Sequence, residues 1–172
     1  MCYNVQSLLE TQLKRAVKTQ NLEAIAELRE KLAVFGVENY YHTSGFQHPP
    51  MLLEFKNGFD IANWGLIPNW IKDERAAKDI RTKTINARLE TLQEKPSFQT
   101  AFEKGRAVLS VDGFFDFSKD RQKTIPHFLY QKDRASLFLV CVKDEWVNET
   151  SGELVSSFSI VTQKGVGVIE SI

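Results

Sequence analysis

The chain opens Met1-Cys2. The second side chain is small enough for the initiator methionine to be removed, which would leave Cys2 as the N-terminus. Its α-amine and thiol would then sit two carbons apart. Unperturbed, they titrate at about 7.7–8.0 and about 8.5, so both are partly nucleophilic near neutral pH. One residue would offer two nucleophiles to a single electrophile. With an aldehyde, the amine gives a Schiff base and the thiol closes on it to a five-membered thiazolidine. Position 2 also tolerates small residues for no chemical reason, so the rest of the chain must supply the argument.

Other residues whose types could serve chemistry are scattered. Asp116 lies in AVLSVDGFFDF (Ala107–Phe117), the strongest strand pattern present. A carboxylate in such an aromatic strand costs several kcal/mol to bury unpaired, so it should have a partner or a task. Asn86 and Arg88 are two apart and share a face if that stretch is extended. Trp64 and Trp70 bracket a compact loop, WGLIPNW, where core packing and exposed stacking are both open. His42 and His48 stand six apart in a loop with no cysteine nearby, so no metal site is expected. Cys141 falls in the apolar run Leu137–Val142 and reads as a buried, inert thiol.

The elements that must position these residues read as follows. Leu8, Leu9, Leu13, Val17, Leu22, Ile25, Leu28 and Leu32 recur at helical spacing, predicting helix from Gln6 to Phe35. Thr19-Gln20-Asn21 interrupts it, and Gly36 stops it. Glu38 to Pro50 reads as irregular. Met51–Phe55 and Phe59–Trp64 predict a hairpin turning at Asn57-Gly58. Lys72 to Lys83 is a charged surface segment, and Pro96 through Phe102 a helix capped by Ser97. After the strand at Ala107–Phe117 come strands at Pro126–Tyr130, Leu137–Val142 and Phe158–Thr162. Turns fall at Gln131–Arg134 and around Gly152. Many strands with few interspersed helices predict an α+β fold: a strongly curved, mainly antiparallel, barrel-like sheet with flanking helices. The 172 residues suit one domain spanning 1–172.

Composition narrows the partners. Lys+Arg and Asp+Glu are both 22, a net charge of zero, so nucleic acid would have to be held by a local groove rather than a global field. Two cysteines make no disulfide framework. No apolar run approaches a membrane span and no leader pattern opens the chain, so the cytoplasm is the expected compartment and no membrane partner is expected. No cofactor is expected, and a monomer is the expected state.

Met1-Cys2, WGLIPNW (Trp64–Trp70), INARLET (Ile85–Thr91), PSFQTAF followed by VLSVDGFFDF, and FSIVT (Phe158–Thr162) occur in that order and at suitable spacing. Together they resemble the SOS-response-associated peptidase (SRAP) family, the abasic-site processing proteins. The resemblance implies capture of abasic sites in single-stranded DNA, Cys2 forming a thiazolidine with the ring-opened deoxyribose aldehyde. It places the family's Asn-Ala-Arg motif on Asn86-Ala87-Arg88, Asn86 orienting the electrophile and Arg88 holding a phosphate. It gives Asp116 the proton transfer at the sugar or the Cys2 amine, and Thr162 a phosphate or sugar contact. Trp64, Trp70 and Phe117 would stack or wedge beside unpaired bases, with Arg81 and Lys83 as helpers to Arg88. Asn86, Arg88 and Asp116 should therefore converge on Cys2 in one groove. The family name also implies autopeptidase removal of Met1.

Two departures accompany the match. The family has Glu where this chain has Asp116, and a carboxylate set back by one methylene can cost about 10²-fold. The family also carries an Ile-His pair soon after the threonine strand. Ile172 stands where that isoleucine would be, so the chain reads as shortened before the histidine and the last strands. His127 lies elsewhere in the order and does not replace it. Two other classes stay open: an N-terminal-nucleophile amidohydrolase, and a noncatalytic single-strand-binding remnant.

Overall fold

A computed structural model describes residues 2–20, 22–120 and 123–165. The central architecture is a barrel whose closure is set by its last strand. β3 (Pro50–Phe55) and β4 (Gly58–Trp64) form a hairpin, β3 pairs with β6 (Arg106–Val111), and β6 pairs with β9 (Leu137–Val147). β9 then pairs with β10 (Leu154–Thr162). β10 returns to β4 by a short parallel pairing, Ser157 to Asn63 and Phe158 to Trp64, which closes a ring of five strands. Past that point β10 pairs in parallel with β5 (Asn86–Arg88). The α+β, curved-sheet expectation is met; the two parallel pairings at β10 are the exception to its antiparallel rule.

A second, antiparallel sheet runs β2 (Tyr40–Ser44), β1 (Asn4–Ser7), β7 (Gly113–Asp120), β8 (Lys123–Leu129). Here the structure corrects the sequence reading twice. The helix expected from Gln6 begins only at α1 (Leu9–Thr19), because residues 4–7 are taken as a strand, and α2 (Leu22–Val34) follows as a separate helix. Most of the segment read as irregular, 38–50, holds β2 and a 3₁₀ turn at Gly45–Gln47. Tertiary pairing overrides local pattern in both cases: β1 is flanked on each side by a strand distant in sequence.

The run Ala107–Phe117 is not one strand. It divides at Asp112 into β6 and β7, which belong to different sheets. The Asp112 carboxylate accepts hydrogen bonds from the Leu8 N–H at 2.8 Å and the Thr11 hydroxyl at 2.6 Å. It caps α1, whose own N-cap residue, Leu8, has no polar side chain to do so. Gly113 follows because a Cβ there would stand 2.5 Å from Phe128 Cζ and 2.6 Å from the Leu129 carbonyl. The Asp-Gly pair thus turns the chain from barrel to second sheet and ties α1 to the turn.

Smaller corrections have local causes. The β3–β4 ladder closes with Phe55 opposite Gly58, so the two turn residues are Lys56 and Asn57. α4 (Pro96–Lys104) starts with proline in its first turn and gets no side-chain cap, so Ser97 lies inside the helix. α3 (Glu74–Arg81) occupies the charged segment and is capped by the Asp73 carboxylate on the Ala76 N–H at 2.8 Å. The largest core cluster joins Cys2 and Val5 to Met51, Leu53, Trp64, Leu109, Cys141, Phe158 and Ile160, so these two residues pack into the barrel. No helix among the described residues is long and apolar enough to cross a membrane.

Candidate active site

Cys2 is buried, 9 % exposed, two residues ahead of the first residue of β1. Its Sγ lies 3.9 Å from the Asn4 carbonyl. Burial pushes the thiol up to about 12, and the negative charge of Asp116 acts in the same direction. That electrostatic reach agrees with the strand register. Asn4 pairs with Phe115 and Val5 with Phe114, so the next step along the ladder carries Asp116 toward the start of β1. Asp116 is half-buried, and its Oδ1 accepts the Phe117 N–H at 3.0 Å.

The second wall is the β9–β10–β5 edge. Cys141 pairs with Ile160, and Ile160 pairs with Asn86, forming one row across three strands. Thr162 pairs with Arg88 one side-chain period further on. Residues two apart share a face of a sheet, so Asn86, Arg88, Ile160 and Thr162 stand on the face that carries Cys141. Cys141 is fully buried in the same core cluster as Cys2, and the Cys2 charge acts on its thiol, which burial holds far above its usual range. Cys141, read from sequence as an inert thiol, is therefore the inner neighbour of Cys2. Its position could not be read from sequence, because only the closure of the barrel brings β9 beneath the N-terminus.

This face has an unusual polar inventory. Both amide atoms of Asn86, and the Thr162 hydroxyl, are buried without a hydrogen-bond partner. Buried polar groups are paired in the great majority of cases, and each exception calls for an explanation. Three such atoms on adjacent strands, where Asn86 and Thr162 present donors and acceptors, suit a polar ligand laid along the β5–β10 edge. Arg88 is exposed at the rim. Glu90 beside it has its carboxyl held below the usual range by backbone N–H groups, including that of Lys164 at 3.1 Å, with the Arg88 charge assisting.

The aromatic residues divide. Trp64 is fully buried, donates its Nε1–H to the Ile85 carbonyl at 2.9 Å and stacks on Phe158 at 6.2 Å. It cannot stack on a base; it fixes the backbone next to Asn86, because burial of so large a ring outweighs exposure. Trp70 and Phe117 are exposed at 51 % and 43 %. Sequence reasoning missed an exposed ring near the thiol: Phe46 stacks on Tyr3 at 5.5 Å, and the Gly45 N–H donates to the Tyr3 carbonyl at 2.9 Å. The one sequence signal was the adjacency of Tyr3 to Cys2. Arg81 stands at the end of α3. It lines a pocket with Trp146 and Val155, and Val155 lies five residues, or roughly 16 Å, from Ile160 along β10. Among the described residues no His/Cys/Asp/Glu cluster could hold a metal ion. Met1 and Ile172 lie outside the described residues.

Comparison with known proteins places this arrangement. A family model described as SOS response associated peptidase (SRAP) matches residues 3–172. The chain is 36% identical over 110 residues to the abasic site processing protein YoqW of Bacillus subtilis, covering 63% of this chain and 47% of that protein. It is 26% identical over 150 residues to the abasic site processing protein HMCES of Xenopus tropicalis, covering 71% and 44%. The matched region is thus about half the length of these relatives. A crystal structure of a Bacteroides thetaiotaomicron protein superposes with a TM-score of 0.85 at 28% identity, over 99% of this chain and 73% of that one. With a family model spanning nearly its whole length and a barrel that a solved structure reproduces, the chain belongs to the SOS response associated peptidase (SRAP) family.

Proposed function

We propose that this chain captures abasic sites in single-stranded DNA by forming a thiazolidine at Cys2 once Met1 has been removed. Two observations support the reading: a carboxylate within electrostatic reach of the Cys2 thiol, and the orphaned polar atoms of Asn86 and Thr162 on the sheet face of Cys141, which shares a core cluster with Cys2. The names of the relatives, abasic site processing proteins, point the same way.

The state of the thiol orders the steps. A thiol raised to about 12 holds very little thiolate at neutral pH, which disfavours direct attack on an amide carbonyl. The α-amine, with an ordinary value of about 7.7–8.0, is the first nucleophile. It adds to the aldehyde of the ring-opened deoxyribose, and loss of water gives the iminium. That carbon is far more electrophilic than the aldehyde. The Cys2 sulfur then adds to it while the thiol proton passes to the Asp116 carboxylate, and the C=N electron pair returns to nitrogen. The ring closes with one water lost overall. Asn86 hydrogen-bonds the sugar oxygens during this sequence, Thr162 the sugar or its phosphate, and Arg88 the phosphate at the rim.

Intact mass after incubation with an abasic single-stranded oligonucleotide tests the reading. The expected product is the chain without Met1, plus the oligonucleotide, minus one water. Met1 retained on all the soluble protein, or an unmodified mass, would remove the proposal. Cleavage of a model amide without any DNA adduct would favour the amidohydrolase reading instead.

Binding should be distinguishable from chemistry. With a net charge of zero, strand affinity rests on a few phosphate contacts. Arg88→Ala should weaken binding of an undamaged strand and lower the salt slope of log K by about 0.7, the value of one contact on single strands. An unchanged slope would make Arg88 a purely structural neighbour of Glu90.

A further inference from the structure

The pocket that takes Arg81 is unused by this chemistry. It has a volume of about 390 Å³ and lies between α3, the Gly45–Gln47 turn and the ends of β9 and β10 distant from Cys2. Arg81 ends α3, and its Nε is buried without a hydrogen-bond partner. It enters none of the ion pairs among the described residues, and burial lowers its pKa. A guanidinium partly withdrawn from water without a counter-charge is costly, and that cost is offset when an anion sits against it.

Two amides line the same pocket with their oxygens already committed. Gln47 Oε1 accepts the Ser44 N–H at 3.2 Å and the Thr43 hydroxyl at 3.3 Å. Asn148, itself buried, uses Oδ1 for the Thr150 N–H at 2.9 Å and the Ser151 N–H at 3.4 Å. A backbone N–H can only meet the oxygen, so both amides are fixed with NH₂ as the remaining group. The Trp146 Nε1–H is spent on the Ile71 carbonyl at 2.6 Å. His48 donates its Nδ1–H to the Trp64 carbonyl at 2.7 Å. Of the two carboxylates at the rim, Glu74 is paired with Lys78 at 2.5 Å, leaving Glu153 as the internal competitor for Arg81.

We propose that this pocket binds a phosphate-type oxyanion, held by the Arg81 guanidinium and the NH₂ groups of Gln47 and Asn148. A guanidinium fork and two amide donors need several acceptor oxygens on one small group, which phosphate supplies and a carboxylate supplies less fully. The volume leaves room for a phosphate carried on a larger molecule, either a free nucleotide or a DNA strand. The site does not involve Cys2, so it stands or falls independently of the crosslinking reading.

The test is a titration of ¹⁵N-labelled protein with inorganic phosphate, followed at the Arg81 Nε–H and at the two side-chain NH₂ groups by NMR. Saturable shifts are expected with phosphate and not with chloride at equal ionic strength. Arg81→Gln should weaken phosphate at least about tenfold, as loss of a charged hydrogen-bond donor implies. Arg81→Lys should fold, keep the charge and still bind more weakly, because lysine lacks the planar fork. Glu153→Gln should tighten binding severalfold, and Cys2→Ala should leave it unchanged. Parallel titrations with a deoxynucleoside 5′-monophosphate and with an undamaged single strand identify the source by which saturates at lower concentration. Shifts that do not saturate, that chloride reproduces, or that persist at equal affinity in both Arg81 variants overturn the proposal.

Discussion

Cys2→Ala is expected to abolish the heat-stable adduct with abasic single-stranded DNA while leaving strand binding within about twofold of wild type. The amine survives this substitution, but an amine alone gives only a reversible Schiff base. The sulfur is what closes the ring. Denaturing gels with and without borohydride separate the cases: borohydride should trap an adduct in Cys2→Ala, and heating without it should leave none. The stability cost is small, since Cys2 is a small buried hydrophobe ahead of β1. A heat-stable adduct that persists in Cys2→Ala without borohydride would show that another nucleophile, such as a lysine, does the chemistry.

The second large effect is at Asp116. Asp116→Asn keeps the shape but cannot take the thiol proton. With a Cys2 thiol pushed up to about 12, sulfur addition without a base should slow by about 10²–10⁴-fold. The same substitution removes a negative charge that raises the thiol pKa, which works in the opposite direction. The loss of the base dominates, because a thiol held up mainly by burial stays protonated at neutral pH either way. Asp116→Glu extends the carboxylate by one methylene from a position already within electrostatic reach of the thiol, and should accelerate the crosslink. Single-turnover time courses of the three proteins decide this. If Asp116→Asn reacts as fast as wild type, the carboxylate takes no part in the proton transfer. If Asp116→Glu is slower than wild type, reach is not what limits Asp116.

Much of the candidate site was legible because its parts are local. Asn86 and Arg88 share a face as soon as the stretch is extended, and the structure makes it β5. The hairpin of β3 and β4 followed from a turn pattern between apolar runs, with an error of one residue at the turn. What failed did so where a residue serves a distant partner. Asp112 read as part of one strand, because nothing in AVLSVDGFFDF says that its carboxylate caps a helix about a hundred residues earlier in the chain. Trp64 stayed open between core packing and the stacking that the resemblance implied, because the sequence does not reveal that Phe158 and the Ile85 carbonyl enclose it.

The sequence by itself determined which residue types are available: a cysteine directly after Met1, a carboxylate in an aromatic strand, an Asn-Ala-Arg stretch, and no net charge to hold nucleic acid at long range. It also determined the α+β class, since strand and helix periodicities are properties of neighbouring residues. Only the tertiary structure decided who meets whom. The closure of β10 onto β4 and β5 sets Asn86 and Thr162 on the face of Cys141, and the Asp112-Gly113 turn carries Asp116 out of the barrel to the strand beside Cys2. α3 carries Arg81 into a pocket it shares with Trp146 and Val155, residues far from it in the chain. Ladder register between segments far apart in the chain depends on the packing of the whole core, so no local pattern could have specified it.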